Sequence, residues 1–162
     1  MAAKLKYKKG DLFANLPDHP VMIPHVCNDE GKWGSGFVLA VNKYSSLPKD
    51  RYLTHIENMK RCGNADSLGT TTIARIEDGN YVANMITERG IAREKGDHPL
   101  RYFHLMECMK QVRANMNGKN APKEIYCPKF GSDRAGGHWP TIERMIIECW
   151  LDKGIDVTVF EL

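Results

Sequence analysis

Two stretches of this chain place glycines and polar residues directly ahead of a helical pattern, and its chemistry is expected there. The first runs His25-Val-Cys-Asn-Asp-Glu-Gly-Lys-Trp-Gly-Ser-Gly36, and the second runs Phe130-Gly-Ser-Asp-Arg-Ala-Gly-Gly-His-Trp139. Glycine lets main-chain N–H groups approach an anion unobstructed, and the helix that follows adds unpaired donors and partial positive charge. Either loop alone reads as a tight turn between a strand and a helix. Together they predict an anion site, with a diphosphate cradled between them beyond the strand ends. The first loop lacks the Gly-Lys-Ser/Thr ending of a P-loop, and neither has the Gly-x-Gly-x-x-Gly spacing of a dinucleotide fold.

The rest of the composition narrows the partners. With 162 residues, 42% of them hydrophobic, the chain suits one domain over 1–162 with a single sizeable core. A net charge of +3 favours a small anion but is too diffuse for a nucleic-acid groove. Lys4, Lys6, Lys8 and Lys9 alternate with Leu5 and Tyr7, as on the solvent face of a first strand. The five cysteines include no Cys-x-x-Cys pair and the six histidines no paired spacing, so neither a disulfide framework, a metal nor a cofactor is expected. Residues Met1 to Lys6 show no apolar leader core, and no stretch is long enough to span a membrane. A cytoplasmic monomer without membrane contact is the expectation.

The elements that must position the loops follow from periodicity. Strands are predicted at Lys4–Tyr7, Val21–Cys27, Thr70–Ile76, Tyr81–Ile86, Glu124–Lys129 and Asp156–Phe160. Helices are predicted over Phe37–Tyr44, Lys49–Arg61, from near Pro99, and over Pro140–Asp152, where Ile142, Met145, Ile146, Cys149 and Trp150 form one stripe. The pair around Asp78-Gly79-Asn80 reads as an antiparallel hairpin, and the later strand–helix–strand alternation as parallel neighbours. An α/β fold follows, with a mixed, mostly parallel sheet between helical layers. Pro24 conflicts with an inner strand unless that strand bulges or the proline nitrogen needs no partner.

These residues carry a resemblance. Gly10-Asp-Leu-Phe13, His25-Val-Cys-Asn28, Trp33-Gly-Ser-Gly36, Asn84-Met-Ile-Thr87, Arg101-Tyr102, Pro128 to Trp139 and Val157-Thr-Val-Phe160 together resemble the macrodomain family, an α/β/α sandwich. The similarity is to the branch with ADP-ribose-1″-phosphate phosphatase and terminal ADP-ribose protein glycohydrolase. It implies that Asp11 accepts from the adenine amino group and that Asn28 bonds the distal ribose. It further implies that Gly34, Ser35, Gly36 and residues Gly131, Ser132, Asp133, Arg134, Ala135, Gly136 and Gly137 surround the diphosphate and ribose. Trp33 and Trp139 would shield the ligand, Trp139 alternatively anchoring its helix. The bland readings are a turn or helix cap for Asp11 and a turn residue for Asn28.

The implied activity is metal-free removal of the phosphate from ADP-ribose 1″-phosphate, with His25 as acid/base group, unless it is a hydrogen-bonded structural histidine. Asp133 is a second catalytic candidate against an Asx-type turn, and Asp97 a third, in the 89–98 stretch expected to form a flexible flap. Two alternatives stand beside the phosphatase: a hydrolase removing ADP-ribose from a modified protein or nucleic acid, and a non-catalytic ADP-ribose reader. The glycohydrolase branch uses a lysine where this chain has Glu88 and an aspartate where it has Ala135, which argues against that route.

Overall fold

The computed structural model describes residues 2–63 and 65–162; Met1, the first residue of the stretch expected to carry no apolar leader core, lies outside the described residues. Six strands are β1 (Leu5–Lys9), β2 (Met22–Asn28), β3 (Thr71–Arg75), β4 (Tyr81–Glu88), β5 (Glu124–Pro128) and β6 (Asp156–Glu161). Four α-helices are α1 (Phe37–Tyr44), α2 (Leu47–Arg61), α3 (Tyr102–Ala114) and α4 (Trp139–Cys149). The sheet order is β1-β6-β5-β2-β4-β3. All neighbours are parallel except the β3–β4 hairpin, as its turn residues predict.

The sheet buries both faces. Alternation along β4 sends Ala83 and Met85 to one side and Val82 and Ile86 to the other. The first side packs against Leu105, Cys108, Met109 and Val112 of α3 and Ile142 and Ile146 of α4. The second packs against Val38 and Val41 of α1 and Tyr52 and Ile56 of α2. The result is the expected three-layer sandwich, with no described helix long and apolar enough to cross a membrane.

Pro24 does lie in an inner strand, and the irregularity of β2 falls later, between Cys27 and Asn28. Alternate residues of a strand donate to alternate neighbours. Pairing with β4 is continuous through Pro24↔Ala83, whereas that with β5 is confined to Met22↔Ile125. The proline nitrogen therefore falls on the β5 side, where the ladder has already parted. Helix α4 also ends sooner than its apolar stripe predicts. After Cys149 the chain tightens into a 3-10 turn over Leu151–Lys153, closed by Gly154 at φ 86°.

Candidate functional site

The C-terminal ends of the parallel strands share one edge of the sheet, and two neighbours there diverge. After β2 the chain crosses to α1 on one face; after β5 it crosses to α4 on the other. Because β2 and β5 are adjacent, this is a topological switch point, where an open α/β sheet leaves a crevice. Both glycine loops emerge from its two walls. The Arg134 guanidinium donates to Ser35 Oγ at 3.2 Å, bridging segments 99 positions apart in sequence.

The first loop is held from beneath. Asn28 Oδ1 accepts from the amides of Glu30 (2.9 Å) and Lys32 (3.1 Å), while its Nδ2 donates to the Lys32 carbonyl (2.9 Å). The Tyr52 hydroxyl, reaching up from α2, donates toward the Asn28 carbonyl at 2.7 Å and accepts from the Gly31 amide at 3.1 Å. Asn28 thus shapes its own loop, and its amide is engaged there. Gly36, the N-cap residue of α1, sits at φ 82°, a conformation that side chains resist. Among the described residues, the amides of Trp33, Gly34, Ser35, Gly36, Phe37 and Val38 have no acceptor.

The second loop is closed by bonds from the Gly136 amide to the Asp133 carbonyl (3.1 Å) and from the Gly137 amide to the Gly131 carbonyl (2.8 Å). That leaves the amides of Ser132, Asp133, Arg134 and Ala135 without acceptors among the described residues. Asp133 is exposed at the tip of this turn, and Ala135 is buried beneath it. Two sets of unspent donors and one guanidinium therefore stand at one switch point, an arrangement suited to a diphosphate.

The other candidates are placed less centrally. Asp11 Oδ1 accepts from the Phe13 amide at 3.0 Å, capping a 3-10 turn. Phe13 stacks on Phe37 at 5.6 Å, so that turn stands beside the start of α1. Asp97 Oδ2 is occupied by the amides of Arg93 (2.8 Å) and Glu94 (2.9 Å), which lower its pKa. Trp33 is buried edge-on to His25 and against Tyr52, a floor under the first loop. Trp139 is the anchor of its helix: its indole donates to the Tyr7 hydroxyl at 2.9 Å, and its ring packs against Phe130.

His25 does not open onto the crevice. It is 1% exposed, on the β2 face that also carries Ile23 and Cys27, and is enclosed by Trp33 and Phe37. Its Nε2 lies 2.7 Å from Asn84 Oδ1. The Asn84 amide nitrogen donates to the Pro48 carbonyl and Thr72 Oγ1, each at 2.9 Å, so its oxygen faces the ring and Nε2 carries the hydrogen. Burial pulls the pKa down to about 4, so the ring is neutral near pH 7. In this structure the His25 ring is buried and hydrogen-bonded to Asn84, the structural role that the sequence left open beside the acid/base one.

The 89–98 stretch is tied down instead of hanging free. Arg89 pairs with Asp29 at 3.0 Å and with Asp66 at 2.8 Å, and Arg93 pairs with Glu30 at 3.3 Å. At its far end, His98 Nδ1 meets the Gly136 carbonyl at 3.0 Å and the Leu100 amide donates to Ala135 at 3.1 Å. The segment is a strap between the two loops.

A macrodomain protein from Streptomyces coelicolor matches this architecture with a TM-score of 0.79 and 32% identity, over 98% of this chain and 99% of that one. The chain belongs to the macrodomain family. No sequence-family model matches it. An ADP-ribose 1″-phosphate phosphatase from Meyerozyma guilliermondii is 32% identical over 104 residues. That match takes in 57% of this macrodomain and only 58% of the relative's length. Thermosipho africanus DarTG in complex with ADP-ribose shares the fold alone, with a TM-score of 0.75 at 13% identity over 99% of this macrodomain and 43% of that chain.

Tyr52 and the strap arginines are site residues that the sequence did not reveal. Replacing Tyr52 with Phe leaves the Gly31 amide and the Asn28 carbonyl without their shared partner. Urea unfolding should show a loss of about 1–2 kcal/mol, with faster hydrogen exchange at Gly31. Unchanged stability and exchange would mean that the hydroxyl does not hold the loop.

Proposed function

We propose that this macrodomain binds ADP-ribose with its diphosphate over the β2/β5 switch point, and hydrolyses the phosphate of ADP-ribose 1″-phosphate without a metal. The observation that carries the binding reading is the convergence of two loops with unspent amides, bridged by Arg134 and Ser35. DarTG, of the same fold, is described with ADP-ribose, and the Meyerozyma relative supplies the phosphatase reading.

Fixed N–H dipoles aimed at an anion need no reorganisation as charge develops on transferring phosphoryl oxygens. Arg134 supplies a cation at the crevice, able to exchange Ser35 for a phosphate oxygen. His25, neutral and enclosed, serves as a positioning group that fixes β2 against β4 beneath the first loop. Asp133 is the exposed carboxylate best placed on the second loop to orient a water or a ribose hydroxyl.

Calorimetry with ADP-ribose and a phosphate-release assay on the 1″-phosphate, with and without chelator, test the two halves. Expected are measurable binding heat and chelator-resistant release. Replacing Arg134 with Ala should weaken ADP-ribose by about tenfold, in the range of a lost charge-assisted bond. Binding without phosphate release would leave a reader, and release of ADP-ribose from a modified macromolecule would indicate a hydrolase of the other kind.

A further inference from the structure

One imidazole stands on the second loop, outside the cradle's own donors. The strap leaves β4 beside the first loop, where the Gly90 amide donates to Asp29 at 2.7 Å, and ends against the second. There the His98 ring meets the Gly136 carbonyl through Nδ1 at 3.0 Å, and a Cβ on Gly136 would run into that nitrogen. Gly136 also lies at φ 80°, so glycine is required there on two grounds. Its amide closes the turn back to the Asp133 carbonyl, and that turn presents the unspent amides of residues 132–135. His98 therefore rests on the residue next in the chain to the second set of donors.

The bond to Gly136 decides the chemistry of the ring. A carbonyl only accepts, so Nδ1 carries the hydrogen and the lone pair of the neutral ring is on Nε2. His98 is exposed, and its Nε2 has no partner among the described residues.

The other titratable groups of the strap are engaged. Asp97 is held by two amides, Arg89 by Asp29 and Asp66, Arg93 by Glu30, and Arg101 by the His98 carbonyl. Glu88, at the root of the strap, is partly buried beside Asp29; that burial, and next the Asp29 charge, hold its carboxyl up to about 7. His138, the imidazole that ends the second loop, turns its Nδ1 to Thr141 of its own helix at 3.0 Å. Resting on the phosphatase reading, we infer that His98 is the general base of the reaction, taking a proton from the water that attacks the 1″-phosphate.

In that step a water oxygen bonds to phosphorus while the bond from phosphorus to the ribose 1″ oxygen breaks. His98 Nε2 takes a proton from the water. The electron pair of the broken bond stays on the 1″ oxygen, which takes a proton from solvent, and the imidazolium returns its own proton to solvent. The charged groups around the ring are Asp97 and Arg101 in its own segment and Asp133 and Arg134 in the turn against which it rests.

The test is the steady-state pH profile of phosphate release for the wild type, His98→Asn and His98→Gln, alongside calorimetry with ADP-ribose. Asparagine offers an amide N–H in place of Nδ1 and so can keep the bond to Gly136, but neither variant has a basic nitrogen. Both are expected to lower kcat by about 100-fold while changing KM and ADP-ribose affinity less than about threefold. The wild-type kcat should fall as pH drops through the range in which imidazoles take up a proton, about pH 8 to 5, and that decline should vanish in both variants. Wild-type turnover in either variant, a loss of affinity matching the loss of kcat, or a wild-type profile flat across that range overturns the inference and leaves the binding reading intact. Absence of ADP-ribose heat or of phosphate release in the wild type overturns the reading beneath it.

Discussion

Alanine at Gly137 should weaken ADP-ribose binding by more than about 100-fold, a loss of about 2.7 kcal/mol or more. A Cβ there would run into the Gly131 carbonyl and stand 2.5 Å from Leu100 and 3.0 Å from Ile142. The first obstacle is backbone, and Leu100 and Ile142 are buried, so nothing nearby can yield cheaply. The Gly137–Gly131 bond that closes the second loop would open, carrying its free amides out of line. Gly34→Ala is the informative contrast, because nothing lies within 4 Å of a Cβ at that position. Its melting temperature should match the wild type, so any loss of affinity measures obstructed approach by the ligand. Calorimetry and thermal unfolding of both variants provide the check. Wild-type affinity in Gly137→Ala would mean that the second loop does not grip the ligand.

His25→Ala should cost about 3 kcal/mol of stability by urea unfolding, from the cavity it leaves and the unpaired Asn84 oxygen. The pH dependence gives a sharper check. The folded His25 pKa, about 4, lies below its ordinary 6.5, so its contribution is fully present above pH 6.5 and is lost as pH falls to 4. By linkage that contribution is about 3 kcal/mol. Glu88 runs the other way: its pKa is raised from 4.5 to about 7, so its contribution is full below 4.5 and is lost as pH rises through 7. In the wild type the two offset each other between pH 4.5 and 6.5. In Glu88→Gln the acid-side loss from His25 should stand uncovered, and in His25→Ala stability should rise as pH falls through that window. Parallel pH curves for the three proteins would contradict both assignments.

Local signals made much of this fold legible. The Ile142–Trp150 stripe specified α4, Asp78-Gly79-Asn80 specified the hairpin, and the glycines ahead of Phe37 and Pro140 marked both loops. The parity of β2 already held the answer for His25. Val21, Ile23, His25 and Cys27 share one side of a strand, and the apolar character of the others places the histidine in the core layer. Tyr52 was hidden because its partner Asn28 is 24 positions away and nothing on α2 marks a residue reaching out of its layer. The strap was hidden for the same reason. Arg89 and Arg93 find Asp29 and Glu30 only after β2 and β4 pair. Glu88 was read as a departure from a family pattern, but its environment depends on β4 running past Ile86 to meet Asn28.

The central claim is that amides from two distant loops hold one diphosphate. Amide chemical shifts measured by NMR during an ADP-ribose titration test it most directly. The N–H resonances of residues 33–38 and 132–135 should move together at a single apparent Kd, with the largest changes among them. Shifts confined to one loop, shifts centred on other parts of the surface, or none at saturating ligand would contradict it.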